Sequence, residues 1–344
     1  MKQSRRGRGG VTIDDVARHA GVSAMTVSRV INGENNVRDA TRDRVKEAIE
    51  KLSFRPNTAA RNLAAGKDAH IALLYSNPSN AYFSEILVGA LDGARRGGHH
   101  LIIETCDLSS KQEQEDAVRR AINARALGVV IPPPVSESKI VLSALAKAEI
   151  PSVTIVMGEH YKNPLNVRMD DRAAGQEMVG HLIGLGHRRI GMILGDPNQL
   201  ASKLRYQGYV DALNAAGIAI DETLVEQGYF EYKSGHIAAE KLLNRADRPT
   251  AIFASNDDMA AATISVAHRS GLDVPGDLSV AGFDDTALAT NVWPELTTIR
   301  QPICEMAEAA VALLLANINS PVRHPVERVL DYRLVVRQST APPR

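Results

Sequence analysis

Residues 11–32 read VTIDDVARHAGVSAMTVSRVIN and contain two short apolar patterns joined by a turn sequence around Gly21. Apolar side chains at i, i+3 and i+4 spacing are typical of amphipathic helices, and glycine allows a sharp connection between them. Thr12 and Ser23 precede the two runs as N-caps do. The inward faces are predicted to consist of Val16, Ala17 and Ala20, then Val27, Val30 and Ile31.

A third run, 41–52, places Val45, Ala48, Ile49 and Leu52 on one stripe, so three helices can close a small core. The second helix then turns polar, small and guanidinium groups outward near its N-terminus, where free N–H groups and the helix dipole favour phosphate. Arginine can donate two bonds to guanine in a major groove. This outward face, Ala24, Met25, Thr26, Ser28, Arg29 and Asn32, predicts DNA reading; the alternative is an ordinary helical bundle with a solvated face.

The charge distribution separates this head from the rest of the chain. Residues 1–66 hold 13 Lys and Arg against 7 Asp and Glu, whereas the whole chain of 344 residues has a net charge of zero. A basic head on an acidic body predicts a polyanionic partner.

Residues 55–67, RPNTAARNLAAGK, follow the head. Pro56 ends the third helix, Asn57 can cap a new one and Gly66 can end it. A helix of about two turns is marginal alone in water. The segment, with Arg61 and the large apolar Leu63, is either a plain linker or a segment that orders on a partner.

Residues 11–66 resemble the lactose-repressor/galactose-repressor family of bacterial transcription regulators through TIDDVARHAGVSAMTVSRVIN, RDRVKEAIEKLSFRPN and AARNLAAGK. The resemblance implies that the second helix enters the major groove, with Ala24 and Met25 at sequence-selecting positions. It also implies a hinge helix that pairs with its dimer mate, where Ala60 permits close approach and Leu63 wedges into the minor groove. The predicted DNA-binding residues are Thr12, Ser23, Ala24, Met25, Thr26, Ser28, Arg29, Asn32, Asn57, Ala60, Arg61 and Leu63.

The remaining sequence alternates β-rich and helical runs, which predicts parallel sheet covered by helices. Predicted strands are 70–75, 100–104, 127–131, 152–156, 189–194, 250–254 and 278–282. Predicted helices include 84–96, 112–124, 172–185, 203–216, 234–244 and 258–270. Ligands of such sheets bind beyond the C-terminal strand ends, where this chain has SNPSNAYFSE, PPP and SNDD; ordinary turn residues are the alternative.

This region resembles the family's effector domain through NAYFSEI, LGHRRIGMILGD, KLRYQGYVDAL, IFASNDDMA, VPGDLSVAGFDDT, PELTTIRQP and RLVVRQST. That domain is similar to periplasmic sugar-binding proteins, with two α/β lobes, a cleft, and crossovers expected near 168–171, 297–302 and 327–331. The effector-binding residues it implies are Tyr82, Phe83, Arg205, Phe230, Asn256, Asp257 and Gln301. Arg205 and Asp257 can bracket vicinal hydroxyls; an ion pair between lobes is the alternative.

Two departures bear on the ligand. Lactose-type members have a polar cleft residue where this chain has Pro132-Pro133-Pro134, and a cleft aspartate can stand where it has Val156-Met157-Gly158. Fewer polar contacts on the first lobe argue against a small galactoside and favour a bulkier or less polar ligand.

The expected organisation is an all-α helix-turn-helix DNA-binding head (1–55) with a basic arm, a hinge helix (56–67), and a two-lobed α/β effector and dimerisation domain (68–344). The expected function is a ligand-responsive regulator, a repressor of carbohydrate-utilisation genes relieved by a sugar or glycoside. Its alternative is regulation by a nucleobase or other metabolite, with the effector as corepressor in some members. The expected partners are a palindromic double-stranded operator and a second copy of the chain.

Other classes of protein are weighed against this expectation. A sugar-transport protein and a carbohydrate-processing enzyme are disfavoured because the chain has a DNA-binding head and lacks an apolar signal core or a catalytic motif. Asp170-Asp171 and Asp284-Asp285 are adjacent carboxylates, for which capping and turn roles are expected. We expect no cofactor, no metal site, no membrane span and a cytoplasmic location.

Overall fold

The structure is a computed structural model that describes residues 13–31, 38–52, 70–155, 163–320 and 324–344. The chain divides into two compact units, Met1–Asp68 and Ala69–Arg344.

The first unit contains the three helices that the sequence predicts: α1 (Ile13–Ala20), α2 (Ala24–Ile31) and α3 (Asp39–Lys51). Their shared core buries Val16, Ala17, Ala20, Val27, Val30, Val45 and Ala48. Gly21 has a φ of 63° between α1 and α2, and the Arg44 guanidinium from α3 donates to the carbonyl of Ala20. The left-handed glycine and the arginine together fix the turn between the two helices.

The second unit contains two six-stranded sheets within the described ranges. The first has the order β11-β5-β4-β3-β1-β2, and every adjacent pair is parallel. Its strands are β1 (His70–Tyr75), β2 (Leu101–Thr105), β3 (Ala126–Ile131), β4 (Ser152–Ile155), β5 (Leu165–Arg168) and β11 (Val326–Val329).

The second sheet has the order β12-β10-β9-β8-β6-β7 and is parallel except for the edge strand β12. Its strands are β6 (Ile190–Leu194), β7 (Val225–Gln227), β8 (Ala251–Ala254), β9 (Ser279–Asp284), β10 (Thr297–Arg300) and β12 (Arg333–Val335). Val, Ile, Leu and Phe side chains of the central strands are buried on both faces, as covered parallel sheets require.

Helices cover both sheets and form two lobes. The first lobe has α4 (Asn80–Arg96), α5 (Lys111–Asn123), α6 (Lys139–Lys147) and α12 (Ile303–Asn319). The second lobe has α7 (Asp171–Gly184), α8 (Leu200–Ala215), α9 (Tyr232–Leu243), α10 (Asp257–Arg269) and the short α11 (Leu288–Asn291).

Within the described residues, the chain passes between the lobes three times. It leaves β5 for α7 at 169–170, leaves β10 for α12 at 301–302, and leaves β11 for β12 at 330–332. Because α12 packs on α4 and on strands of the first sheet, and β11 pairs with β5, these two late elements of the chain complete the first lobe.

Candidate ligand cleft and nucleic-acid interface

An inner chamber of about 30 Å³ lies between the lobes, where the carboxyl ends of strands from both sheets converge. The first lobe contributes Asn77, Pro78, Ser79, Tyr82 and Pro133. The second lobe contributes Gln199, Ala201, Arg205, Phe230, Asn256 and Asp284, and Gln301 enters from a crossover.

Arg205 is the cation of the chamber and is held rigidly by its own lobe. It is 2% exposed; its Nε donates to Asp171 Oδ1 at 2.9 Å, and its Nη1 donates to the carbonyl of Ser255. The guanidinium carbon lies 3.6 Å from the centroid of the Phe283 ring. Arg205 thus pairs with Asp171 of its own lobe, whereas the alternative expected from the sequence is an ion pair with Asp257 between the lobes.

Glycine allows α7 and α8 to approach closely enough for this pairing. A Cβ at Gly208 would lie 2.2 Å from the carbonyl oxygen of Arg172, and a Cβ at Gly175 would lie 2.9 Å from that of Arg205. Both contacts are with backbone, so neither position tolerates a side chain without separating the helices.

Asp284 is the carboxylate that stands beside Arg205 in the chamber. Its Oδ1 lies 3.9 Å from Arg205 Nη1 and accepts a 2.6 Å hydrogen bond from Gln301 Nε2. Burial raises the pKa of Asp284 well above its usual range; the Arg205 charge lowers it and the Asp257 charge raises it. Its φ of 121° is strained for a residue with a side chain, a feature that clusters at functional sites.

Asp257, predicted to contact the ligand, is placed behind the chamber wall. Its Oδ1 accepts from the Thr298 hydroxyl at 2.7 Å and its Oδ2 from the Thr286 N–H at 2.9 Å. Burial raises its pKa to about 7. Both oxygens of Asp257 are therefore bound inside the second lobe, and Asp284, for which the sequence predicts a capping or turn role, is the aspartate that lines the chamber.

Asn256 and Gln301 both lie in the chamber wall, as the resemblance implies. Asn256 caps α10 by accepting from the Met259 N–H at 3.0 Å, and its Nδ2 donates to the carbonyl of Phe230 at 3.0 Å. The side-chain oxygen of Gln301 is buried without a partner among the described residues. Such an atom requires a donor when water is excluded.

Two of the three predicted aromatic residues line the chamber, and the third packs against another ring outside it. Tyr82 lines the chamber, and its buried hydroxyl has no partner within the described ranges. Burial raises the pKa of Tyr82, which keeps the hydroxyl protonated. Phe230 also lines it, whereas Phe83 packs its ring against Tyr75 with centroids 3.7 Å apart and is absent from the wall.

The first-lobe wall is partly apolar, in line with the proline run. Pro133 lines the chamber and its carbonyl accepts from Asn77 Nδ2 at 3.1 Å. Val156, Met157 and Gly158 lie outside the described residues. Asn77 and Ser79 lie within SNPSNAYFSE, the segment after β1 that the sequence indicates, although neither was named individually. Gln199 and Asp284 were not predicted as cleft residues: Gln199 precedes α8, and Asp284 is the last residue of β9.

In the first unit, Met25 and Arg29 form the exposed face of α2, and Met25 is 66% exposed. Ser23 caps the helix: its Oγ accepts from the Thr26 N–H at 3.2 Å and lies 2.9 Å from the Thr26 hydroxyl. Ala24 and Thr26 were predicted to face outward but are only partly exposed, and Ala24 packs against the core. The side chain of Ser28, and Thr12, Asn32, Asn57, Ala60, Arg61 and Leu63, lie outside what the structure describes.

Among the described residues, no group of three His, Cys, Asp or Glu side chains is placed to hold a metal ion. In the same ranges no helix is both long and apolar enough to span a membrane.

Comparisons with known proteins agree with this architecture. Residues 12–57 match the model of bacterial regulatory proteins of the lacI family, and residues 179–340 match a periplasmic binding protein-like domain. Catabolite control protein A of Priestia megaterium is 35% identical over 334 residues, which is 96% of this chain and 99% of that protein.

Two solved structures show the same fold over nearly the whole chain. The complex of the transcriptional regulator CelR with cellobiose is 33% identical, has a TM-score of 0.73 and covers 96% of this chain and 99% of that one. The lac repressor dimer bound to operator and an anti-inducer is 27% identical, with a TM-score of 0.76 and coverage of 97% and 100%.

The head and the cleft thus define a class of protein, in which a helix-turn-helix unit is joined to a two-lobed, periplasmic-binding-protein-like domain. The chain belongs to the lacI family of bacterial regulatory proteins. It is a ligand-responsive, DNA-binding transcriptional regulator.

Proposed function

We propose that this regulator is a homodimeric repressor that binds a palindromic operator in the cytoplasm and is released by a carbohydrate bound between its lobes. The carbohydrate is bound and not turned over. The chemistry of the inner chamber carries this proposal, since its polar atoms suit a polyhydroxyl compound.

The chamber offers both kinds of hydrogen-bonding partner to a ligand hydroxyl. Tyr82 can donate or accept, whereas the Gln301 oxygen and the Asp284 carboxylate accept. A sugar hydroxyl donates one hydrogen bond and accepts others, and the next hydroxyl on the ring needs the same two kinds of partner. The cellobiose bound by CelR, a relative over almost the whole chain, supports a carbohydrate over a nucleobase.

The DNA-binding part rests on the exposed α2 face and on the operator complex of the related lac repressor. Met25 and Arg29 present one apolar and one guanidinium group on that face. The homodimer rests on a different observation. The related lac repressor is a dimer. In this chain Val88 and Leu91 expose apolar surface one turn apart on α4, which suits burial against a second copy.

The test begins by selecting duplexes from a random library with the full-length protein. Fluorescence anisotropy on the selected duplex then measures affinity while neutral sugars and nucleobases are added. We expect a palindromic site, and release by a sugar. Binding tightened by a nucleobase and unaffected by sugars would contradict the effector class, while failure to select any site would contradict the DNA-binding role.

A further inference from the structure

A second, larger cavity of about 860 Å³ opens directly outside the inner chamber; we call it the outer vestibule. Asn77, Pro78 and Gln199 line both spaces, so one ligand can extend from the first into the second. The vestibule is bounded by both lobes, with Tyr75 and Asp107 on the first and Asp196, Tyr229 and Glu231 on the second.

The volumes of the inner chamber and the outer vestibule indicate which part of a ligand each can hold. The inner chamber, at about 30 Å³, has room for about two water molecules. Small-molecule sites in proteins span about 300–1,000 Å³. With the lobes in this arrangement, the vestibule has the volume of a ligand site and the chamber has only that of its innermost substituent.

Two consecutive aromatic residues line the two cavities, one each. Phe230 is 7% exposed in the chamber wall, whereas Tyr229 is 47% exposed in the vestibule. The φ of 61° at Phe230 turns the chain between the two rings. Ser234 fixes this turn, because its Oγ accepts from the Tyr229 N–H at 2.9 Å and donates to the Glu231 carbonyl at 2.9 Å.

An exposed tyrosine on a fixed backbone is a suitable platform for a sugar ring. Its face is apolar and can cover the C–H face of a sugar, while its hydroxyl remains in contact with water. No other aromatic side chain of the vestibule is as exposed among the described residues, since Tyr75 is only partly exposed and packs its ring against Phe83.

The charge of the vestibule restricts the ligand further. Asp107, Glu113, Asp196 and Glu231 line it, and no lysine or arginine does so within the described ranges. Arg120 lies 3.9 Å from Glu113 and bonds Glu104 at 3.0 Å, so its charge is already shared by two carboxylates. A phosphate group here would face like charges without a compensating cation, which disfavours anionic ligands.

We infer that the effector is an uncharged carbohydrate of at least two sugar units, whose terminal substituent enters the inner chamber and whose outer unit stacks on Tyr229. This inference rests on the proposed carbohydrate response and specifies the number of sugar units and the charge of the ligand. A monosaccharide with its substituent in the chamber has its ring at the boundary formed by Asn77, Pro78 and Gln199, and a second sugar unit is needed to cover Tyr229.

The experiment is isothermal titration calorimetry on the full-length protein with cellobiose, maltose, lactose, their component monosaccharides and glucose 6-phosphate. We expect at least one disaccharide to bind ten-fold or more tightly than its monosaccharides, and glucose 6-phosphate not to bind. Tyr229→Ala should then weaken that disaccharide by about three- to ten-fold and leave monosaccharide binding unchanged.

Tyr232→Ala is the matched control, because Tyr232 is 46% exposed three residues away and does not line the vestibule. It should leave every affinity unchanged. A monosaccharide that binds as tightly as any disaccharide, a preference for the phosphorylated sugar, or an unaffected Tyr229→Ala variant would overturn the inference. Binding of none of these sugars would overturn it too, while operator binding, measured separately, would still uphold the regulatory function.

Discussion

Glu137 of the first lobe caps a helix of the second lobe: both of its carboxylate oxygens lie 3.1 Å from the backbone nitrogen of Leu200, which donates to them. Leu200 begins α8, and the preceding Gln199 supplies no side-chain cap of its own. First-turn N–H groups need an acceptor and attract negative charge. Because α8 also carries Arg205, closure of the lobes is linked to the helix that holds the chamber's cation.

This cap predicts a pH-dependent stability. Burial raises the pKa of Glu137 to about 7; the Leu200 N–H and the Lys203 ammonium lower it, and Asp196 raises it. A raised carboxyl pKa means that the folded, closed state holds a proton that the unfolded state releases above pH 4.5. The contribution of Glu137 to stability should therefore fall as the pH rises from about 4.5 to about 7.

Calorimetric melting temperatures of wild type and Glu137→Gln measure this effect. The glutamine mimics the protonated acid, so the two proteins should melt alike near pH 5 and the variant should be the more stable above pH 7. Glu85→Gln, at an exposed position on α4, is the control and should track wild type. A difference that stays constant from pH 5 to pH 8 would rule out titration of Glu137.

Asp284→Asn and Asp257→Asn should separate ligand binding from stability. Asp284 faces the chamber beside Arg205, so its amide variant should lose the response to the sugar that releases wild type from DNA. Asp257 accepts bonds from Thr286 and Thr298 in the core, and an amide there should cost about 1–3 kcal/mol of stability. Paired melting curves and operator-release titrations test both; a wild-type sugar response in Asp284→Asn would exclude Asp284 from the site.

The inner chamber differs from the predicted site at positions where the direction of a side chain, and not its residue type, decides. The family resemblance implies Asp257 and Phe83 as cleft residues; in the structure Asp257 accepts a hydrogen bond from Thr298 and Phe83 packs against Tyr75, and neither lines the chamber. Asp284 reaches the chamber through a strained φ of 121° that no local pattern announces. Strand ends could be found from sequence, whereas side-chain direction depended on tertiary packing.

For the fold, all seven predicted strands are present, with ends within about two residues of those predicted. The strands that were not predicted, β5, β7, β10, β11 and β12, are three or four residues long, and β7, β11 and β12 lie at sheet edges, where an apolar run is not needed. The helix predicted at 84–96 begins at Asn80, because Ser79 caps it by accepting from the Tyr82 N–H. A strand of three or four residues at a sheet edge has too short a hydrophobic pattern to be predicted from the sequence.

Operator binding should depend steeply on salt. The excess of basic residues within 1–66 lies on a chain of zero net charge, so phosphate contacts should be concentrated in the head. With about 6–10 phosphate contacts per dimer, affinity should fall about 10³- to 10⁵-fold between 50 and 200 mM salt. Anisotropy titrations over that range provide the slope, and a slope near zero would contradict phosphate contacts by the head.

Arg29→Ala should weaken binding to the selected operator more than to scrambled DNA. Arg29 is exposed on α2, and one bidentate contact to guanine gives about 1–3 kcal/mol of discrimination. Arg18→Ala is the control, because Arg18 lies on α1 and pairs with Asp15 at 2.9 Å; it should not change the ratio of the two affinities. Equal losses on both DNAs for Arg29→Ala would make Arg29 a phosphate contact.

Leu63 should act on the DNA and not on the fold of either unit. It lies outside the described residues, and the prediction comes from its sequence: it is the large apolar residue of RPNTAARNLAAGK, at the position of the family's minor-groove wedge. Two wedges at a dyad unstack the central step at a cost of a few kcal/mol, which is offset by the contacts that the bent DNA permits. The operator should therefore have a flexible pyrimidine–purine step at its centre, CG by the family resemblance.

Leu63→Ala should reduce both operator bending and operator affinity while leaving the melting temperature unchanged. A fluorescence-energy-transfer bending assay on the selected duplex, anisotropy and calorimetry on the same variant measure the three quantities. Ala64→Gly, at the neighbouring position, controls for a change in the helix propensity of the segment and should weaken affinity without removing the bend. If Leu63→Ala bends the operator as much as wild type does, Leu63 is not the wedge. Its side chain would then only pack within the linker.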